Sequence, residues 1–249
     1  MCKLFQIGLS AFLLLLAGKT PTAWAQKGVK GGFEVGVRVG PNLAFLTGVL
    51  PKEEEFRRAT TGVAPRFSLG VMVAYLSRKK PLGLETGLYF NQSAFTINSQ
   101  AALDSINVRK LGQTFEYEIQ SIHLPVLLRV NLPISKSLVA HVTLGPRMGF
   151  LIAANRQRRF EDNDTARAYG LQPGRSNQYQ NINFFDVAAC LGGGIYYSIT
   201  SKWYVGGGLR LEYSFIRTFS DIIRNNTQII TGGGNLVHLH LQGGVTYRF

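Results

Sequence analysis

Three features of the sequence predict an all-β chain: an eight-stranded antiparallel up-and-down transmembrane β-barrel with long extracellular loops and short periplasmic turns. The first is the end of the chain, Val237 to Phe249, which reads VHLHLQGGVTYRF. Val237, Leu239, Leu241, Val245, Tyr247 and Phe249 fall on one face, and His238, His240, Gln242, Gly244, Thr246 and Arg248 on the other. Such period-two alternation belongs to a strand with two different environments, which in a membrane barrel are lipid outside and a polar lumen inside. The second is that seven earlier segments alternate in the same way. The third is that the connections run long, short, long, short, long, short, long, the pattern of outer-membrane barrels with both termini periplasmic.

Composition sets the outer limits. A chain of 249 residues suits one β domain, and 28 glycines fit curved sheets better than helices. The formal charge of +13 suits an anionic partner, with lipopolysaccharide, nucleic acid or an acidic protein as the general classes. Basic loops and an arginine-rich lumen account for much of that charge. The expected partners are outer-membrane lipid and lipopolysaccharide, with an envelope or secretion protein complex besides; no nucleic-acid partner is expected.

The start reads as a secretory signal over residues 1–25. Lys3 supplies the positive end, Leu9 to Ala17 the apolar run, and Ala23-Trp24-Ala25 the cleavage site, leaving Gln26 first. Cys2 lies ahead of the apolar run and is lost with it, as are Lys3 and Lys19, so the mature charge is about +11. Residues 26–32 form a short N-terminal segment and 33–249 the barrel. Cys190 is then the one remaining cysteine, which excludes an intramolecular disulfide and any Cys/His zinc spacing.

The strands follow in order. Phe33 to Phe45 places Phe33, Val35, Val37, Val39, Leu43 and Phe45 outward; a polar loop to Ala64 carries Glu53-Glu54-Glu55 and Arg57-Arg58. Arg66 to Leu76 is the second strand and Ser77 to Pro81 a turn. The third begins at Leu82, before a polar loop at about Asn98 to Gln113. The fourth, Thr114 to Val130, changes parity: Ile122, Leu124, Val126, Leu128 and Val130 are apolar at its end, Phe115, Tyr117 and Ile119 at its start. Either a bulge near Gln120 resets the register, or the first half stands above the membrane. Pro125 inside it costs one ladder hydrogen bond.

After a turn at Asn131 to Ser137, Leu138 to Ile152 is the fifth strand. The longest loop, about Ala153 to Asn181, carries Arg156, Arg158, Arg159, Arg167 and Arg175 as a candidate basic surface for a ligand or partner. Ile182 to Ser198 and Trp203 to Phe219 are the sixth and seventh strands, joined by a tight turn at Thr200-Ser201-Lys202. A loop with Asn225-Asn226 and Gly232-Gly233-Gly234 leads to the last strand. Phe33, Tyr75, Trp203, Tyr247 and Phe249 fit an aromatic girdle at the periplasmic side.

Alternation also assigns the lumen. It places Glu34, Glu85, Asp186 and Glu212 inside with Arg38, Arg66, Arg129, Arg147, Arg210 and Arg248, and all four histidines, His123, His141, His238 and His240, on the same face. Eight strands leave room for little but their own side chains, and buried charges persist only when paired. A filled structural network of ion pairs follows, and wide channels need about 16 strands. His238 and His240, two apart on one face, also have a spacing found in metal sites, but with so many inward arginines no metal, cofactor or catalytic set is expected. Gly192-Gly193-Gly194 lies inside a strand with no helix after it, so it is not a phosphate loop.

Ile122-His123-Leu124-Pro125-Val126-Leu127-Leu128-Arg129, Leu144-Gly145-Pro146-Arg147-Met148-Gly149-Phe150, and Asp186-Val187 with Gly192-Gly193-Gly194-Ile195 resemble motifs of the PorT-like, or "porin family", outer-membrane barrels of Bacteroidetes. Members read I-P-L-L-L-K, G-P-x-x-G, and D-x-G with G-G-G-I at these places. The resemblance spans about Phe33 to Phe249; His123 stands where an acid is common and Ala188 where a glycine is. It implies an eight-stranded barrel in a family that includes a component linked to protein secretion and gliding. The expected role is non-enzymatic, a monomeric barrel that anchors or assists an envelope or secretion complex through its extracellular loops. A small-solute channel is the alternative, and an outer-membrane enzyme the least favoured.

Overall fold

The computed structural model describes residues 31–47, 60–77, 81–102, 110–178, 182–216, 218, 222–224, 227–230 and 234–249. The signal segment, the charged run at 53–58, the turn residues 78–80 and the glycines at 232–233 lie outside the described residues. Along the chain run β1 (Gly32–Thr47), β2 (Thr60–Ala64), β3 (Arg66–Leu76), β4 (Leu82–Ala102), β5 (Lys110–Pro133), β6 (Leu138–Phe160), helix α1 (Asn163–Ala168), β7 (Gly174–Asn177), β8 (Phe185–Ser198), β9 (Trp203–Ser214), β10 (Ile222–Arg224), β11 (Thr227–Ile230) and β12 (Asn235–Arg248). β1, β3, β4, β5, β6, β8, β9 and β12 pair with their neighbours antiparallel. The β1–β12 and β4–β5 pairings close them into a ring of eight. Each neighbour along the ring is the next ring strand in sequence, so the topology is up-and-down.

The predicted faces hold over the lower part of the wall. Val35, Val37, Val39, Leu69, Val71, Val73, Leu84, Leu88, Val205, Leu209, Leu241 and Val245 are exposed on the outside. No helix among the described residues is long and apolar enough to cross a membrane; the chain crosses with this band of strands. Aromatic rings border it. Phe33 lies 5.1 Å from Tyr75, and Tyr247 lies 4.9 Å from both Trp203 and Phe249, at the end with the short turns. Phe67 and Phe90 are 6.1 Å apart on the other border, with Phe150 beside Phe185 at 5.4 Å. Tyr75 and Phe67 are eight residues apart on β3, close to the roughly 9–11 residues that a spanning strand needs.

Several strands go well beyond that. β4, β5 and β6 have 21, 24 and 23 residues, so this side of the wall rises far above the upper aromatic border. Two expected loops are therefore wall. Residues 98–102 and 110–113 belong to β4 and β5, and most of the loop expected at 153–181 is ordered structure: the top of β6, then α1, then β7 pairing back onto β6. The reason is that this wall has its own core. Phe95, Ile97, Phe115, Tyr117, Ile119, Leu151, Ala154, Leu236 and Leu46 are buried together inside the raised end, with Phe95 stacked on Tyr117 at 5.2 Å.

This settles the parity change in β5. Phe115, Tyr117, Ile119, Ser121 and His123 all point inward without interruption, so the start of β5 does stand above the lipid band, with its apolar face turned inside. The bulge exists, but on the neighbouring strand. Gln120 pairs with Ala153 and Ser121 with Leu151, leaving Ile152 as the extra residue of β6. β9 ends at Ser214, shorter than the strand expected to Phe219. At Pro125 the β5–β6 pairing lapses between Pro125↔Arg147 and Leu128↔Leu144.

Candidate functional site: the barrel lumen

The lumen at membrane level is an ionic core in two tiers. Nearest the short turns, Glu34 accepts from Arg129 Nη1 at 2.9 Å and from Arg248 Nε at 2.8 Å. Glu85 accepts from Arg38 Nη1 at 2.8 Å and lies 3.4 Å from Arg129. Register explains the meeting: Glu34 is opposite Arg248 across β1–β12, Ala74 follows on β3, and Glu85 comes next on β4. Three tyrosines of the same face join the two tiers. Arg129 lies over Tyr196 at 4.9 Å and Arg248 over Tyr204 at 4.3 Å. Arg38 donates to the Tyr196 hydroxyl, and Tyr89 lies under Arg210 at 4.5 Å. His141 stacks on Tyr196 at 4.6 Å.

The second tier centres on Glu212. Arg147 Nε donates to its Oε2 at 3.0 Å, and Arg210 Nε lies 2.8 Å from its Oε1. Arg147 also donates to Asp186 at 2.5 Å, and Ser214 donates to the same carboxylate. Gly149 makes room for this guanidinium: a Cβ there would lie 2.3 Å from Arg147 Nη1. The histidines crowd the same level. His123 Nδ1 is 3.3 Å and His240 Nε2 3.4 Å from Glu212, while His238 lies 3.3 Å from Ser93.

The tier resembles two kinds of chemical site. His123, Glu212 and His240 bring potential ligand atoms within 4.8 Å of one another, a two-His, one-carboxylate set of the kind that holds transition metals. Both Glu212 oxygens, however, already face guanidinium groups. A cation here would sit beside two fixed positive charges, and the set fits a network node better than a metal site. Ser121 Oγ, 2.9 Å from His123 Nε2, lines up with His123 and Glu212 as a hydroxyl, imidazole and carboxylate, an arrangement that activates nucleophiles elsewhere. Ser121 faces a cavity of about 50 Å³ bordered by Asp186, Ser214 and His238. That is room for a few waters and not for a peptide or acyl chain.

One residue assigned to the lumen lies elsewhere. Arg66 bonds Glu116 at 2.8 Å and Glu118 at 3.2 Å. These acids alternate with the buried Phe115 and Tyr117 and so point outward. The strand offset between β2, whose Ala64 pairs with Ala94, and β3, whose Ser68 pairs with Asn91, inserts an extra residue beside Arg66 and frees it from the inward parity. The five candidate loop arginines also have partners. Arg159 and Arg175 pair with Glu116 and Glu118 at 3.3 and 3.1 Å on the outer face of the raised wall, and Arg167 with Asp164 at 3.7 Å. Arg156 and Arg158 turn inward over Phe115, at 5.3 and 5.5 Å, and Arg158 donates to Gln113. Alternation places Tyr89, Tyr196 and Tyr204 inside but does not name them as arginine partners, and it does not foresee the raised apolar core. The inward parity of Tyr89, Tyr196 and Tyr204, and the parity change at Phe115, carried the signal for them.

A closed ring with a lipid-facing band, two aromatic borders and a charged interior defines an outer-membrane barrel. The chain belongs to the outer membrane protein beta-barrel domain family, whose model matches residues 24–220. Among solved structures it is similar to the outer membrane protein OprG from Pseudomonas aeruginosa, with 14% identity over 89% of this chain and 98% of that one and a TM-score of 0.51. It is also similar to Neisserial surface protein A, with 13% identity over 88% and 97% and a TM-score of 0.44. No curated protein sequence matches it. The likeness to OprG shows the fold alone.

Proposed function

We propose that the protein is a closed, non-enzymatic barrel that anchors an envelope protein complex through the outer face of its raised wall. The observation that carries this reading is the extension of β4, β5 and β6 to more than 20 residues each, about twice the span of the membrane. In this orientation the short turns and both termini are periplasmic, and the raised wall stands in the lipopolysaccharide layer. Arg66, Glu116, Glu118, Arg159 and Arg175 then form a mixed-charge face bordering a concavity of about 180 Å³. A surface of paired opposite charges matches the mixed charges of a protein better than the uniform negative charge of lipopolysaccharide phosphates.

The test is crosslinking in intact outer membranes, followed by purification of the barrel. A stoichiometric protein partner, lost in Arg66→Glu/Arg175→Glu, is the expected result; the same lipopolysaccharide and no protein in both samples would overturn it. The second reading, a small-solute channel, meets the two ionic tiers, which fill the lumen from Glu34 to Glu212. Steady single-channel conductance of the purified barrel in a planar bilayer would favour the channel and remove the closed reading.

A further inference from the structure

We propose that the barrel holds one monovalent anion of chloride size inside its wall, between the two ionic tiers. A cavity of about 20 Å³ lies there, lined by Arg38, His141, Thr143, Arg210, Gln242 and Thr246. That is space for a single occupant of about water size, too small for phosphate or sulfate. Its lining is rich in donors that find no acceptor among protein atoms: Arg210 Nη1 and Nη2 and Gln242 Nε2, with His141 Nδ1 also unpartnered. All three residues are buried, and buried polar groups of this kind require a partner.

Charge decides between water and an ion. Among the described residues the membrane-level lumen contains five arginines, Arg38, Arg129, Arg147, Arg210 and Arg248, against four carboxylates, Glu34, Glu85, Asp186 and Glu212. With the histidines counted neutral, one positive charge is left over. It belongs to the lower tier, where Arg38, Arg129 and Arg248 share Glu34 and Glu85. Arg38 borders the cavity from that tier and Arg210 from the other. A water would satisfy the donors and leave the charge uncompensated in a site of low dielectric; a halide satisfies the donors and compensates the charge. The same excess positive charge disfavours a cation at His123, Glu212 and His240.

The experiment is refolding of the full barrel from urea into detergent micelles in sodium chloride, sodium bromide or sodium gluconate at one fixed ionic strength. For one site saturated by chloride, each tenfold rise in chloride raises the folded-to-unfolded ratio tenfold, and gluconate, too large for the cavity, gives no such rise. Arg210→Met removes the two unpartnered Nη donors and leaves four lumen arginines against four carboxylates, and it abolishes the dependence. Gln242→Leu removes one donor and keeps every charge, so it weakens the dependence without eliminating it. Protein extracted from membranes and crystallised in bromide provides a second measurement that does not rely on refolding, with an anomalous peak beside Arg210 and Gln242 as the expected result. Halide-independent stability, or an empty anomalous map at that position, overturns the proposal in favour of a water.

Discussion

The lower and raised halves of the wall use one backbone pattern with opposite polarity. Below the upper aromatic border, β3 and β9 turn valines and leucines outward, and β9 turns Arg210 and Glu212 inward. Above it, β5 buries Phe115, Tyr117 and Ile119 inside and shows Glu116 and Glu118 outside. The alternation never breaks in β5. What changes is the solvent: where lipid lies outside, the apolar face must be outside, and where water lies outside, the apolar side chains gather within as in any soluble β protein. The bulge at Ile152 lets β6 follow, moving its inward set from odd residues such as Gly149 and Leu151 to even ones such as Ala154.

The two halves should therefore fail differently. The largest effect is expected from Glu212→Ala, which leaves Arg147 and Arg210 buried without their shared acid. Its cost is about 5 kcal/mol or outright loss of the folded form, read as the urea midpoint of the barrel in lipid vesicles. Glu116→Ala removes a carboxylate that also serves two arginines, Arg66 and Arg159, but at a site open to solvent on the outer face, and should cost under about 1 kcal/mol. Equal costs would mean that the lumen is as wet as the outer face.

Phe95→Ala probes the raised core. Phe95 is fully buried and stacked on Tyr117, so a loss of about 3–4 kcal/mol is expected. If the raised half were a mere extension hanging from the membrane barrel, the substitution would loosen β4 and β5 locally, as seen by amide exchange, and leave the global midpoint in place. A shift of the midpoint shows one cooperative unit.

A smaller effect is expected from outward charge. Val71 lies midway between Phe67 and Tyr75 on the lipid face of β3, and Val71→Arg should cost about 2–4 kcal/mol in vesicles. Gln157→Arg, outward on the raised half of β6, should be neutral within about 0.5 kcal/mol. A neutral Val71→Arg would place lipid elsewhere than between the two aromatic borders.

Which parts were legible in the sequence follows from the same contrast. The lumen residues Glu34, Glu85, Arg129, Arg147 and Glu212 could be assigned from parity because lipid enforces a strict alternation below the border. Their partners could not, since pairing across the lumen depends on register and on which strands face each other; Glu34 meets Arg129 from 95 positions away. Arg66 departs from its expected inward face because an extra residue between β2 and β3 leaves no mark in the pattern. The raised wall has the sequence of loops: its outward faces are polar, and RQRRFEDND looks like a solvated turn although Phe160 packs on Ala166. Local polarity does not distinguish a loop from a strand whose core lies on the other side.

The smallest effect tests how the top of the raised wall is closed. α1 follows β6 directly, and Asp162 caps it by accepting from Asp164 N–H at 2.9 Å, Thr165 N–H at 3.2 Å and the Thr165 hydroxyl at 2.5 Å. The Thr165 hydroxyl first, then the two N–H groups, hold the Asp162 carboxyl below the ordinary aspartate range. A carboxyl depressed in the folded state contributes stability that is complete above its unfolded pKa and is lost as pH falls through the folded value. Exchange protection of the Asp164 and Thr165 amides should therefore hold at neutral pH and decline on acidification below the ordinary aspartate range. Asp162→Ala should remove it at all pH values, and Asp162→Asn, which keeps the accepting oxygen, should retain it without the pH dependence. Protection that survives Asp162→Ala would mean that Phe160 and Ala166 alone seat the helix, and that the raised half is held at its top, as in its interior, by apolar packing.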